Sequence, residues 1–437
     1  MTLQRHITKG LFLAAAGILW LLPFTGTSAQ TYTEKDENYG KTPTELLPYE
    51  NYQRAYKYHF HEPIEFTGAG REKKEPTGLT DVKIGVLGPL EGDVLSPQGN
   101  QMLNGATLAV EEENARGGYK GLPFKILPHN DVGLWGAAAN EVVKMSDEGA
   151  WAILGTIDDV NSHVAIRVAL KLEIPVVNCG DPDPTFTETN IPWVIRVIGD
   201  DRQSSYALVE YIHGKMGHKR VAVLRSNNRY GRVGIMEFRD AALRMGYPLV
   251  LEVRYNVGET DFTTQLQRIR DNNPDAILLW GNAKELGLIV NQIREMGFEQ
   301  PIYASDRAVN PEFLEIAGKN AEGIITTCQY NPKGDSPQLK AFQANYKKRF
   351  GMEPDVFAAH AYDGMNLIIK AIHKVGLNKA LIRDVLTDLN TFQGYEGVTG
   401  PIILDASWND IGPTFLAEIK DGDFHFTPAT WKWKEDK

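Results

Sequence analysis

The sequence predicts an α/β fold of two doubly wound halves, and three observations lead there. From Asp81 onward, short apolar runs of strand length alternate with amphipathic helical patterns, which is how parallel sheets covered by helices read. The alternation comes as two successive series of similar size. The first series opens on DVKIGVLGPL, a β-branched-rich run closed by Gly88-Pro89, followed by a loop and then a helix that Gly117-Gly118 stops. In an open parallel sheet the loop leaving the carboxyl end of such a strand is where ligands bind.

Each element follows from local pattern. In the first half, strands are expected at 82–87, 124–127 (FKIL), 151–154 (WAIL), 174–177 (IPVV) and 193–198 (WVIRVI). The opening loop is expected to run for about ten residues, with Leu103, Ala106 and Val110 marking the helix after it; further helices fall at 136–148 and 162–172. The second half places strands at 220–224, 249–254, 275–280, 300–303 and 323–327, with helices at 203–216, 231–245, 261–272 and 284–296. After Gln329 the order changes to three helices, 336–350, 355–375 and 378–389, before short strands near 401–404 and 414–419. Helices with so little sheet of their own imply that the chain crosses between halves more than once.

The amino terminus differs in kind. Arg5 and Lys9 precede an apolar run from Leu11 to Leu22 that ends in Thr27-Ser28-Ala29, the pattern of a secretory signal peptide over 1–29. The run is well short of the roughly 20 residues needed to span a bilayer, so a soluble, exported mature chain is expected. Losing two positive charges takes the net charge from −10 to −12, and nothing favours nucleic acid. Residues 30–80 carry six of the 17 tyrosines with no sustained period and end in GAGREKKEPTGLTD, which reads as a linker; the segment either lies over a domain surface or docks a partner. Cys179 and Cys328, the two cysteines, are open to one disulfide or to two buried thiols.

HExxH, paired C-x-x-C, G-x-S-x-G, a Walker loop and G-x-G-x-x-G do not occur. The histidines are dispersed apart from His59 and His61, a pair without carboxylate or cysteine company. An enzyme is therefore disfavoured, and no cofactor or metal is expected.

Taken together, IGVLGPLEG with GNQMLNGATLAVEEENARGGYKG, AILGTIDDVNSHVAI, IPVVNC, WVIRVIGDDRQSS, KRVAVLRSNNRYGR, ETDFTTQLQRIRDNNPDAILLWG, REMGFEQPIYASDRAV and NAEGIITT resemble the type I periplasmic binding proteins. The branch they resemble most is that of the leucine/isoleucine/valine-binding receptors of ABC importers. The resemblance implies a Venus-flytrap architecture of two Rossmann-like lobes joined by three hinge crossovers. Lobe one would hold 81–198 plus 329–399, and lobe two 199–328 plus 400–430, with a tail at 431–437; 30–80 lies outside the pattern.

In that family the ligand sits between the lobes, and closure hides it from water. Here the implied mouth loops run from Glu91 to Gly99, Thr156 to Ser162 and Cys179 to Pro184 in lobe one, and contain Asn227–Gly231, Trp280–Asn282 and Asp306-Arg307 in lobe two. The resemblance puts Tyr230 at a cleft tyrosine and Asp306 at the acid that pairs with a ligand ammonium. It puts Asp159 where the family holds an amino-acid carboxylate through a hydroxyl, and Pro182 at the second hydroxyl. An acid at 159 would repel a carboxylate in a closed cleft, so the ligand is expected to be other than a plain branched-chain amino acid. Alternatively Asp158 or Asp159 caps the helix that begins near Asn161.

The candidate ligand-binding residues are Asp158, Asp159, Asn161, Asp181, Asp183, Tyr230, Trp280, Asp306 and Arg307. Trp280 is offered as an apolar wall with one N–H donor, or as ordinary core. One set of mouth loops is acidic and the other mostly basic, with Arg225, Arg229, Arg232 and Arg307; the two either pair with each other or divide the charges of a ligand. The resulting expectation is a monomeric periplasmic solute receptor. It would deliver a small amino-acid-, amide- or amine-like ligand to an ABC permease in the inner membrane. A ligand-sensing receptor for a membrane signalling protein is the alternative, and a secreted enzyme is less favoured.

Overall fold

The computed structural model describes residues 65–429 apart from 67, 133–135 and 389–394; the expected signal peptide, 30–64 of the extension and the tail lie outside the described residues. Strands β1 (Val82–Gly88), β2 (Phe124–Asn130), β3 (Ile153–Gly155), β4 (Val176–Asn178) and β5 (Val194–Arg196) form one parallel sheet in the order β2-β1-β3-β4-β5. Strands β6 (Val221–Ser226), β7 (Leu251–Tyr255), β8 (Ala276–Trp280), β9 (Ile302–Ala304) and β10 (Ile325–Cys328) form the parallel part of a second sheet in the order β7-β6-β8-β9-β10. Its far edge is completed antiparallel by β13 (Phe415–Lys420) and β14 (Asp423–Pro428), while β11 (Tyr395–Glu396) and β12 (Pro401–Ile402) pair apart. Each sheet reverses its winding about its first strand, and ligand crevices form at the carboxyl ends beside such a reversal.

The helices of the first lobe are α1 (Ser96–Ala115), α2 (Ala137–Asp147), α3 (Asp159–Leu172) and the single turn α4 (Thr185–Glu188). Those of the second are α5 (Asp201–Val209), α6 (Arg229–Arg244), α7 (Thr263–Asp271), α8 (Ala283–Glu295) and α9 (Pro311–Ala317). The chain then returns to the first lobe with α10 (Pro337–Phe350), α11 (Val356–Val375) and α12 (Lys379–Thr387). Buried Val82, Ile84, Ala152, Leu154, Val177 and Ile195 face Met365, Ile368, Ile369 and Ile372 of α11 in one core. Leu224, Ile277, Leu279, Ile289, Val290 and Ile302 make the corresponding core of the other lobe. Among the described residues no helix is long and apolar enough to cross a membrane.

Four expectations need correcting. Helix α1 begins at Ser96, so the opening loop is shorter than expected. Pro97 starts that helix without needing an N–H, and Gly99 follows because a Cβ there would stand 2.2 Å from the Pro89 carbonyl oxygen. The helix expected at 203–216 is α helical only to Val209 and finishes as a π-helical turn, Glu210–Lys215. Ile402, Leu404 and Trp408 pack in the first core, so the last return to the second sheet comes after Trp408 and not at 400. The linker, finally, is docked: Arg71 forks onto Asp384 at 2.6 and 2.8 Å, and Asn378 donates to the carbonyls of Gly70 and Lys73, both at 2.9 Å. Cys179 and Cys328 are both buried and free, which resolves the alternatives left open for them.

Candidate functional site

The carboxyl ends of β3 and β4 launch the lobe-one side of the cleft. After β3 the chain turns into α3, and the turn separates two adjacent acids by role. Asp158 has extended backbone and its carboxylate accepts from Val160 N at 3.0 Å and Asn161 N at 2.9 Å, so it is the helix cap. Asp159 is the first helical residue; it is 2 % exposed, and neither carboxylate oxygen has a hydrogen-bond partner. Asn161 is half-buried and its amide donates to the Asp131 carbonyl at 3.2 Å, a tie within the lobe.

After β4, Asn178 Oδ1 accepts from Gly180 N and Asp181 N, folding the next loop tightly. Asp181 Oδ1 accepts from Asp183 N at 2.8 Å, and its Oδ2 is buried without a partner. Asp183 is fully buried; its Oδ1 accepts from Thr185 N and Oγ1 at 2.8 and 2.7 Å, while its Oδ2 takes the Arg229 Nε of the opposite lobe at 2.5 Å. His163 Nε2 stands 3.4 Å from the same Oδ2.

From lobe two, Asn228 caps α6 through Gly231 N and so sets Arg229 and Tyr230 in its first turn. Tyr230 donates its hydroxyl to Asp306, and Arg307 lies over the Tyr230 ring with Cζ 3.7 Å from the centroid. Arg307 also donates to Asn282 Oδ1 at 2.8 Å and reaches Asp159 across the cleft at 4.0 Å. Of the four arginines expected at this mouth, Arg229 and Arg307 meet lobe-one acids, whereas Arg225 pairs with Glu252 within its own lobe at 2.7 Å. Trp280 is fully buried in the core beside Tyr230, with ring centroids 6.0 Å apart.

One residue was missed. Asp201 opens α5, where the chain crosses between lobes, and its N–H donates to the Pro182 carbonyl of the acidic loop at 2.8 Å. It is 0 % exposed, and both its carboxylate oxygens lack a partner. A signal existed: in the capping box Asp200-x-x-Gln203 only the first acid is used, leaving the second of Asp200-Asp201 spare.

Burial dominates the electrostatics. It raises Asp159 well above the ordinary carboxylate range, with the Asp181 charge adding to it and Arg307 opposing. Burial raises Asp201 likewise, and the charges of Asp306 and Asp159 push the same way. Asp181 is pushed up to about 6 by burial and then by Asp183. Asp306 is raised by burial against the Tyr230 hydrogen bond and Arg307. For Asp183 burial is outweighed by His163 and Arg229, which hold its carboxyl low. The arrangement therefore presents carboxylates that a positive group would stabilise. The space beside Asp306 and Arg307, bounded also by Leu95, Gln98 and Phe357, is only about 20 Å³.

Residues 81–423 match a family model described as "Periplasmic binding protein". A Leu/Ile/Val-binding protein homolog 2 from Brucella abortus (strain 2308) is 24% identical over 351 residues, covering 79% of this chain and 92% of its own. The crystal structure of a leucine binding protein from Thermotoga maritima MSB8 superposes with a TM-score of 0.72 at 27% identity, over 79% of this chain and 97% of its own. A branched-chain amino acid transporter substrate binding protein from Streptococcus pneumoniae, in complex with isoleucine, gives a TM-score of 0.72 at 25% identity, over 80% of this chain and 99% of that one.

Proposed function

The chain belongs to the periplasmic binding protein family, and from that premise we propose that it is the extracytoplasmic solute receptor of an ABC importer whose ligand carries a positively charged group. Proteins of this kind bind solutes and are not enzymes, and their ligand is handed to a membrane permease. The chain would act as a monomer in the periplasm.

The observation that carries the reading is the Asp159 carboxylate, buried at the cleft with no hydrogen bond to either oxygen and with Arg307 of the other lobe 4.0 Å away. Its cost in a closed site is lowest when a cation lies against it. Asp306, steadied by the Tyr230 hydroxyl, is a second acid for the same group. The streptococcal relative is in complex with isoleucine and the Thermotoga one is a leucine binding protein; both ligands have an α-carboxylate that an ionised Asp159 would repel. An amine, amide or modified amino acid without a free α-carboxylate fits better than a plain branched-chain amino acid.

A thermal-shift screen of amines, amides, amino acids and small organic acids is the first test, because a ligand stabilises the native state by RT ln(1 + [L]/Kd) and so raises Tm. Calorimetry on the wild type, Asp159→Ser and Asp306→Asn is the second, and loss of binding in both variants is expected. Tight binding of leucine or valine by the wild type, undiminished in Asp159→Ser, overturns the reading.

A further inference from the structure

The charges that meet at the cleft do not balance. Arg196 is matched by Asp200 at 3.2 Å, Arg229 by Asp183 at 2.5 Å, and Arg307 by Asp159 at 4.0 Å. Asp306 takes the Tyr230 hydroxyl and shares the Arg307 charge with Asp159, and Asp181 accepts from a backbone N–H. Asp201 has nothing: it is fully buried, both oxygens are unpartnered, and it stands at the crossover where α5 meets the Pro182 carbonyl.

Satisfying Asp201 inside the protein would need only one donor, and none is provided, although its neighbour Asp200 caps α5 through Gln203 N and also accepts from Arg196 and Asn409. A buried carboxylate left in this way destabilises the fold, so its retention beside Asp159 and Asp306 points to a group that arrives from outside. A metal ion is a poor candidate for that group. Among the described residues, no three His, Cys, Asp or Glu side chains converge as a coordination sphere would require. Asp159, Asp201 and Asp306 stand on three different elements, α3, α5 and the turn after β9, and the Tyr230 face is already covered by Arg307, which suits charges separated along an organic molecule.

We infer that Asp201 is a further ligand-holding carboxylate, and that the solute is a small organic dication whose two amino or guanidino groups are divided between Asp201 and the Asp159–Asp306 pair. The inference rests on the cationic-ligand reading above and narrows it. One positive end occupies the place between lobes where Asp159 and Asp306 approach Arg307; the other reaches the crossover. Asp201 then discriminates between dications and monocations of equal length, because a monocation leaves its carboxylate buried and unpaired.

The test is calorimetry on the full-length mature protein with 1,4-diaminobutane, 1,5-diaminopentane and 4-aminobutylguanidine, set against n-butylamine as a monocation of matching length. Wild type is expected to favour a dication over butylamine by about 100-fold, and Asp201→Asn to lose most of that preference. Asp201→Glu, which keeps the charge, should retain part of it; circular dichroism confirms that each variant is folded. If butylamine binds as tightly as the diamines, or if Asp201→Asn leaves diamine affinity intact, the inference falls and the cationic-ligand reading stands. If leucine binds and no amine does, both fall. Calcium or magnesium that competes stoichiometrically with the diamine also overturns the inference.

Discussion

Arg229 of lobe two and Asp183 of lobe one meet at 2.5 Å across the cleft, with Thr185 Oγ1 accepting from the same guanidinium at 2.9 Å. The pair is a latch by position: parting the lobes must break it, and a fully buried carboxylate would be left with its short-range partners alone.

Removing the latch should therefore shift the molecule toward open forms. Arg229→Ala is expected to weaken ligand binding by about tenfold and to raise the radius of gyration of the unliganded protein in small-angle scattering. The double variant with Asp183→Asn should be little worse than Asp183→Asn alone, since the Arg229 ion pair is already lost there. Unchanged affinity and scattering in Arg229→Ala would show that the pair follows closure without favouring it.

A second expectation concerns pH. Burial raises the Asp201 carboxyl well above the ordinary 3.8, so the native state binds its proton more tightly than the unfolded chain does. Stability from that proton is complete below the ordinary carboxylate range and is lost as pH rises through the raised native value. Asp201→Asn removes the charge and should be more stable than wild type at pH 8, with no advantage at pH 4. Denaturation curves of both proteins across that range check it; a constant difference would mean that the carboxylate does not titrate within it.

Much of this architecture was legible in the sequence because burial on both faces makes parallel strands read as apolar runs, and β1, β6 and β8 lie where such runs stand. Helix ends were harder to read. Whether Asp158 or Asp159 caps α3 depends on where the backbone leaves extended geometry, at Asp158 with φ −80° and ψ 124°, and either acid would satisfy the pattern. Asp201 was missed for a different reason. Its surroundings come from segments far apart in the chain, and only the approach of the loop at Pro182 makes a helix-starting acid a buried one. Trp280 shows the converse: a strand-end indole beside a cleft loop suggests a wall, yet in the fold it fills the core beside Tyr230.

The position of Trp280 depends on one glycine. A Cβ on Gly234 of α6 would stand 2.1 Å from the indole, so the helix can lie against the ring only without a side chain there. Gly234→Ala should cost about 1–3 kcal/mol through overpacking, despite alanine's better helix propensity, and should perturb tryptophan emission. Trp280→Phe in the same background should recover part of the loss. A neutral or stabilising Gly234→Ala in chemical denaturation would mean that the ring has room to move.

The docked segment before β1 offers the last test. Phe66 lies edge-on to Trp193 with centroids 5.1 Å apart, and Arg71 and Arg383 stand 5.2 and 4.9 Å from the centre of its ring. Arg71 further donates to the carbonyls of Gly68 and Phe66, at 2.6 and 2.8 Å, so one guanidinium ties the segment to itself and to Asp384 of α12. Both members of that ion pair remain about one-third exposed, and water screens their attraction; Arg71→Ala should cost the whole protein about 1 kcal/mol or less. Its local effect should be larger, because the backbone from Gly70 to Lys73 is otherwise held to this lobe by the Asn378 amide. Limited proteolysis should cut near Arg71 to Lys74 faster in Asn378→Ala than in wild type, and an Arg71→Gln variant cut at the same lysines should match it; Tm should stay nearly unchanged in Arg71→Gln and fall in Asn378→Ala, whose side chain also caps α12 through Leu381 N. Equal cleavage rates in all three proteins would mean that the ring contacts of Phe66 alone secure the segment.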